Sequence, residues 1–377
     1  MNFTLSEEQE MVKTMARDFL TDKCPKTLLR ELEQDEKGYS PELWQEMVEL
    51  GWMGLVFPEE YGGSGMTFLD LVVLLEEIGR ASMPGPLIST LVLGGLPILN
   101  EGTDEQKKEY LPKIAAGEAI FTMALTEAAA SYTPQSIALE AVADGDNYII
   151  SGTKLFVPDA HVADYMLCVA RTDDKAEAED GITVFIVDAG SAGVSCTVLQ
   201  TMARDKLCEV VFDQVRIPKE NILGKLNEGW AIAERIIEQA AVAKSSFVVG
   251  AMQQMLDMTV EYAKERKQFD RPIGSFQIIQ HYCANMFTDV DGSRYSTYQA
   301  AWKLSEGLPC TKEVAITKVW IHEAFDRVMT LAHQIHGAIG CTIDHDLQFY
   351  TRHGKAAELS FGDADFYREK VAREMGL

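Results

Sequence analysis

The pattern of apolar residues predicts an α+β multi-domain chain: an N-terminal helical domain, a central β-barrel or sandwich domain and a C-terminal helical bundle. Three observations carry this. Residues 1–118 repeat their apolar positions at helical spacing. Residues 119–226 break into short runs rich in β-branched side chains, bounded by turns and with no helix between them. Residues 227–377 return to the helical period and keep it. With 377 residues, the chain is too long for one ordinary core.

The N-terminal block opens at Ser6, which with Gln9 three positions later forms a capping box. Met11, Val12, Met15, Ala16, Phe19 and Leu20 then mark one helix face. Pro41 suits the first turn of a second helix. Gly62, Gly63 and Gly65 make residues 58–65 a loop. Residues 68–80 are helical again, and Thr103 with Gln106 forms another capping box.

In the central block, strands are expected at 120–126, 148–151, 165–171, 182–187, 194–199 and 209–217. Turn residues at 144–147 and 188–190 separate them. In the last block, Trp230, Ala233, Ile236 and Ile237 lead into a long helix through Phe247, Met252, Leu256, Val260 and Ala263. Further helices start near Gln277, span 311–333 and close the chain as a pair after residue 345. Several long helices in succession suggest a bundle. The final pair breaks at Phe361, Gly362 and Asp363. Gly362 takes any backbone angle cheaply, and Asp363 is a good N-cap. Such a turn either presents backbone N–H groups and one side chain to a pocket or merely joins two helices.

Composition excludes several classes. With 58 acidic and 34 basic residues, the net charge of −24 argues against nucleic-acid binding through phosphates. No run of apolar residues is long enough to cross a membrane, and the N-terminus lacks the pattern of a secretory signal. The seven cysteines are scattered, with no C-x-x-C pair, and read as reduced, mostly buried thiols of a cytoplasmic protein. There is no Walker loop, H-E-x-x-H, G-x-S-x-G or strand-to-helix G-x-G-x-x-G. His333 and His336 could share a helix face, but no acidic ligand set accompanies them, so no metal is expected.

Several strings, in order, carry a resemblance over nearly the whole chain. They are LGWMGLVFPEEYGGSG (50–65), EQKKEYLP (105–112), ALTE (124–127), ISGTK (150–154), FDQVRIP (212–218), RKQF (266–269), PIGSFQ (272–277) and QIHG (334–337). Each is weak alone. Together they make the chain resemble the acyl-CoA dehydrogenases, flavoenzymes that oxidise acyl-CoA thioesters to enoyl-CoA. The resemblance implies a helical domain, a β-domain and a four-helix bundle, with FAD as cofactor. It also implies a tetramer and an electron-transferring flavoprotein as electron acceptor.

Residue by residue, the resemblance puts Leu125 and Thr126 beside the flavin ring. Phe156 stands where a tryptophan usually packs on the flavin. Pro158 replaces a flavin-bonding threonine and offers neither hydroxyl nor N–H. Arg266 and Phe269 match the motif reaching the cofactor across a subunit interface, where an arginine fork suits phosphate. Gln268 replaces a small hydroxyl residue beside them. Gln277, Gln334 and Gly337 match further dinucleotide contacts, and Asp363 and Asp365 fall at the last ones. The alternative for each is an ordinary capped or buried helix residue. On the CoA side, Ala241 stands near the place of an arginine, and residues 128–132 replace a glycine-rich loop, with Tyr132 narrowing the pocket.

One requirement is unmet. Oxidation removes an α-proton as a hydride leaves the β-carbon, so a carboxylate of raised pKa must accept the proton. The family places that glutamate before the glycine of the terminal turn, where this chain has Phe361. A minority branch carries it on the first bundle helix, where this chain has Ala240. Glu238 lies two positions away, turned by about 200° on a helix. Four readings stay open. The chain is a dehydrogenase with a relocated base, for which Asp159, His161, Glu238 and Tyr132 are weak candidates. It is a half-site subunit of a heteromeric dehydrogenase. It is an acyl-CoA-binding flavoprotein performing another elimination. Or it is a helical protein without cofactor.

Overall fold

The computed structural model describes residues 4–174 and 178–377. In chain order the helices are α1 (Glu7–Lys23), α2 (Lys26–Gln34), α3 (Pro41–Glu49), α4 (Phe68–Ala81), α5 (Leu96–Glu101) and α6 (Asp104–Ala115). The strands follow as β1 (Phe121–Ala124), β2 (Glu140–Asp144), β3 (Asn147–Pro158), β4 (Tyr165–Arg171), β5 (Ile182–Asp188), β6 (Val194–Val198), β7 (Leu207–Pro218) and β8 (Ile222–Leu223). Then come α7 (Gly229–Glu265), the short strands β9 (Lys267–Gln268) and β10 (Arg271–Pro272), α8 (Gln277–Ser305), α9 (Thr311–His336), α10 (Leu347–Leu359) and α11 (Ala364–Glu374). Both capping boxes form as expected, at Ser6/Gln9 and Thr103/Gln106. Asp363 caps α11, its side chain accepting from the Phe366 N–H at 2.9 Å.

The chain gathers into two compact units. One comprises residues 1–31, 67–83 and 241–377, and the other residues 32–66 and 84–240. Helices α1, α4, α8 and α9 and most of α7 build the first. Its close packing depends on small residues: a Cβ at Gly79 would fall 2.0 Å from the Phe247 carbonyl oxygen, and one at Gly250 only 1.8 Å from that of Glu76. A buried ionic knot ties the same helices. Glu76 meets Arg294 at 3.0 Å, Lys13 at 3.3 Å and the Tyr298 hydroxyl at 2.7 Å. Burial works against the Glu76 charge, but Arg294 and Lys13 overrule it and hold the carboxyl below its usual range.

The second unit is built on one sheet ordered β6-β7-β3-β2-β4-β5-β8, with β1 alongside β4. Its core gathers Ile150, Val157, Cys168, Phe185, Val210 and Phe212. The central block was expected to resemble no parallel α/β unit, because no helices intervene, and no α-helix lies between its strands. The sheet is mainly antiparallel, yet β1 runs parallel to β4 and β2 touches β4 in parallel. The β2–β3 hairpin lies between β1 and β4 in the chain, and β3 lies between β2 and β4, so strands rather than crossover helices make those connections. β3 runs on to Pro158, well past the expected end at 151, because a bulge after Lys154 lets the strand keep pairing with β7. The apolar stretch near residue 90 forms a wide helical turn, Ser89–Gly95, that lets Phe121 pack onto Gly94.

Candidate active site

The positions picked out by the sequence fall into two groups, one in each unit. In the sheet unit the first is the end of β1. Leu125 is buried and Thr126 half-buried. Their backbone is fixed from the neighbouring strand: the Leu155 N–H donates to the Thr126 carbonyl at 2.8 Å. Lys154, with no exposed surface, donates from Nζ to the Leu125 carbonyl at 3.0 Å and pairs with Glu127 at 2.7 Å. Burial lowers the lysine's pKa, while Cys168 and Glu127 counter that shift. The Glu127 carboxylate in turn accepts the backbone N–H groups of Ala138 and Leu139 at 3.0 and 3.1 Å. A charged pair this buried persists only because its hydrogen bonds are completed. Sequence reasoning missed this pair as a unit. The signal was present, since ALTE and ISGTK end in its two members.

Phe156 sits on the β3 bulge with φ +54° and is 49% exposed. A phenylalanine in left-handed backbone costs about 1–2 kcal/mol and persists only where the surroundings impose it. Its ring is thus offered outward. Pro158, two residues on, is further committed: its carbonyl accepts the Thr122 hydroxyl at 2.5 Å. Tyr132 is half-buried in the loop before β2.

Asp159, also at positive φ (+55°), accepts a short hydrogen bond from the Ser89 hydroxyl. His161 is held at both ring nitrogens. Nε2 lies 2.9 Å from the Lys37 carbonyl, and Nδ1 lies 3.9 Å from Cys208 Sγ. Each of these two proposed bases is therefore engaged within its own unit. On α7, Glu238 and Ala240 are buried, as is Ala241 at the following position.

The second group belongs to the helical unit. Phe361 ends the stretch after α10 with φ +59°, and Gly362 follows at φ +109°. Only glycine fits there, because a Cβ would lie 2.7 Å from both the Phe366 and Tyr367 rings. The Tyr367 hydroxyl donates to the Phe361 carbonyl at 2.8 Å. Lys318 of α9, 3% exposed, donates to the carbonyls of Glu358 at 2.6 Å and Ser360 at 2.8 Å. These are end-of-helix acceptors that α10 cannot satisfy itself. Burial lowers the Lys318 pKa to about 7. Below the turn, the Glu358 carboxylate meets His322 and, at 2.8 Å, Lys355. Lys318 also escaped the sequence reading, because a lone lysine on an amphipathic helix carries no local signal of burial.

Farther along this unit, β9 and β10 form a two-residue hairpin whose tip, Phe269 and Asp270, has φ +52° and +59°. Phe269 is 86% exposed, and Arg266 and Gln268 beside it are exposed as well. Gln277, at the start of α8, and Gln334 and Gly337, at the end of α9, are also exposed. Gly337 has φ +65° with nothing within 4 Å of an added Cβ. Asp365 is exposed on the first turn of α11. An outward cation, three carboxamides and an open glycine suit the phosphate and adenosine side of a dinucleotide. On the ring side, Phe156 suits a flat heterocycle, while Pro158 supplies no donor. Taken separately, each group carries chemistry that suits its part of FAD, with one contact altered at Pro158. Among the described residues, no three His, Cys, Asp or Glu side chains are arranged to hold a metal ion. No helix of the described residues is long and apolar enough to cross a membrane.

Comparison with known proteins gives one answer along the chain. The family models described as acyl-CoA dehydrogenase N-terminal, middle and C-terminal domains match residues 6–118, 122–215 and 227–376. A Bacillus subtilis protein named "Probable acyl-CoA dehydrogenase YngJ" is 32% identical over 382 residues, covering 100% of both chains. The butyryl-CoA dehydrogenase structure from Megasphaera elsdenii superposes with a TM-score of 0.93 at 30% identity, covering 100% of both chains. A chain from the ChsE4-ChsE5 complex of Mycobacterium tuberculosis superposes with a TM-score of 0.91 at 28% identity, over 100% of this chain and 99% of that one.

Proposed function

The chain belongs to the acyl-CoA dehydrogenase family, and from that premise we propose that it is an FAD-binding subunit of a heteromeric acyl-CoA dehydrogenase whose α-proton acceptor resides on a second family member. One observation carries the reading. The terminal turn keeps its whole frame, with Gly362, Tyr367 and Lys318 in place, while its tip is the phenyl ring of Phe361. The other base position, Ala240, is a buried methyl group. Asp159 and His161 are occupied by Ser89, and by Lys37 and Cys208. That one of the similar structures is titled as a complex of two differently named proteins agrees with this reading.

FAD, when bound, supplies the two-electron acceptor for the β-hydride. In this reading Leu125, Thr126 and Phe156 of the sheet unit would serve a flavin ring, and, separately, Arg266, Gln268, Phe269, Gln277, Gln334, Gly337, Asp363 and Asp365 of the helical unit would serve the dinucleotide part of FAD, Arg266 and Phe269 across a subunit interface. Tyr132 and Glu238 in the sheet unit, and separately Ala241 and Phe361 in the helical unit, are the proposed thioester-side residues. Electrons leave to an electron-transferring flavoprotein, and the acidic surface makes that encounter salt-dependent. The reading places the protein in the cytoplasm and keeps domain borders at 118/119 and 226/227.

A second reading, a self-sufficient enzyme with Glu238 as relocated base, rests on that buried carboxyl two positions before Ala240. Anaerobic titration with a panel of acyl-CoA thioesters separates the two. The proposal expects flavin bleaching only when a co-purifying, glutamate-bearing family member is present. Bleaching by this chain alone overturns it. In Phe361→Glu, gain of acyl-CoA oxidation by the single chain would show that the turn lacked only its base.

A further inference from the structure

The sheet unit also carries a line of three reactive groups that the heteromeric dehydrogenase reading does not use. His161 follows β3, Cys208 lies near the start of β7, and Cys196 lies on β6. The His161 Nε2 faces a carbonyl, that of Lys37 at 2.9 Å, which can only accept. In the neutral ring Nε2 must therefore carry the proton, leaving Nδ1 as an acceptor. Nδ1 points at Cys208 Sγ, 3.9 Å away. On the other side, Cys196 pairs with Val210 across the β6–β7 ladder, so it shares a face with Cys208 two positions along. The register thus makes the two thiols diagonal neighbours on one face of the ladder.

The two cysteines differ as a reactive pair requires. Cys196 is exposed and lies on the edge strand of the sheet. The neighbouring Cys208 thiol lowers its pKa, favouring the thiolate. Cys208 is buried, and its proton is retained both by Cys196 and by the lack of water. The Cys208 thiol thus faces an imidazole whose tautomer is already set to receive its proton.

We propose that Cys196 and Cys208 form a redox-sensitive dithiol that takes hydrogen peroxide as oxidant, with His161 as the proton acceptor of the disulfide-closing step. The Cys196 thiolate attacks one peroxide oxygen. The O–O bond breaks, the sulfur is oxidised to sulfenic acid, and the other oxygen leaves as water after taking a proton from solvent. Cys208 then gives its proton to His161 Nδ1, and its sulfur attacks the Cys196 sulfur. The S–O bond breaks, and the departing hydroxide takes the proton back from the imidazolium as a second water. Two thiols and one peroxide become one disulfide and two waters. Diagonal neighbours lie about 7–8 Å apart at Cα, while a disulfide spans roughly 4.4–6.8 Å, so β6 must draw inward on closing. An edge strand, paired on one side only, can do so. The resulting bond is strained and hence readily reduced, as a switch needs. Closing it pulls on the β7 segment that pairs with Val157 and Pro158.

The test uses the reduced holoprotein and hydrogen peroxide. The expected product is an intact mass lower by about 2 Da, with Cys196 and Cys208 in one disulfide-linked peptide pair, reversed by dithiothreitol. Cys208→Ser should leave a dimedone-reactive sulfenic acid on Cys196, and Cys196→Ser should abolish the linkage. His161→Gln can still donate to the Lys37 carbonyl. It should slow disulfide closure by at least about tenfold while leaving the rate of Cys196 sulfenylation unchanged. The wild-type protein is decisive even if a variant does not fold. Oxidation of Cys196 no faster than of the exposed Cys341, or addition of oxygen without linkage to Cys208, overturns the proposal.

Discussion

Two phenylalanines in left-handed backbone, Phe156 and Phe361, are held there by different means. Phe156 is forced by the ladder. The bulge in β3 and the Leu155-to-Thr126 hydrogen bond fix its backbone, and its ring is half exposed. Phe361 is forced by side chains: the Tyr367 hydroxyl on its own carbonyl, Lys318 on the carbonyls just before it, and the tight Gly362 after it. The contrast explains which substitution each place tolerates. A frame made by neighbouring side chains does not depend on the residue at the tip, so the tip can lose a carboxylate and the turn survives. A bulge that presents a ring has no function apart from the ring.

The largest expected effect tests the frame around Phe361. Lys318→Met strips two buried carbonyls of their donor and should cost about 3 kcal/mol in urea denaturation. Its pH signature is specific. Burial takes Lys318 from the usual 10.5 to about 7 in the folded chain. Between these values the unfolded chain holds a proton that the folded chain lacks, so this group's contribution to stability rises with pH and is lost as pH falls toward 7. The difference in stability between wild type and Lys318→Met should therefore grow from pH 7 to pH 10. A flat difference would mean that the lysine titrates normally.

Next in size is Gly362→Ala, where φ +109° and two ring atoms at 2.7 Å both oppose a methyl group. A loss of about 2 kcal/mol is expected, read as a lowered denaturation midpoint. A neutral result would show that the turn is looser than the packing implies. The smallest effect has the opposite sign. Phe156→Gly relieves positive-φ strain at a half-exposed site and should stabilise the apoprotein by about 1 kcal/mol. The same change should weaken FAD retention, measured by flavin release on gel filtration. Retention equal to wild type would remove the ring from the cofactor's environment.

The sequence made the helices and the terminal break legible because their signals are local. Capping boxes at Ser6 and Thr103, the cap at Asp363 and long 3.6-residue periods need no tertiary information. The sheet was legible in part. β4 was read to the residue, but β2 and the second half of β3 were missed. β2 exposes Val142 and alternates weakly, and the β3 bulge breaks the two-residue period at Phe156. The families of residues around the site were visible as strings, whereas their supports were not. Lys154 and Lys318 act on carbonyls distant in the chain, and nothing in the local spacing marks them. For His161 the sequence offered a base near the flavin strand. Its partners, Lys37 and Cys208, come from elsewhere in the fold and turn it toward a thiol.

The knot around Glu76 bears on how the chain is made. Glu76 and Lys13 are synthesised early, but Arg294 and Tyr298 follow more than two hundred residues later. At about 5–20 residues per second, that is a wait of roughly ten seconds or more. Until then α1 and α4 carry an acidic side chain whose burial is prohibitive without its guanidinium, so the two helices cannot complete their native packing alone. The sheet unit, nearly continuous in sequence from 84 to 240, faces no such delay. Ribosome-bound chains stalled before residue 294 should thus hold a protease-resistant sheet and a protease-sensitive N-terminus. The first segment to emerge would be among the last to become native.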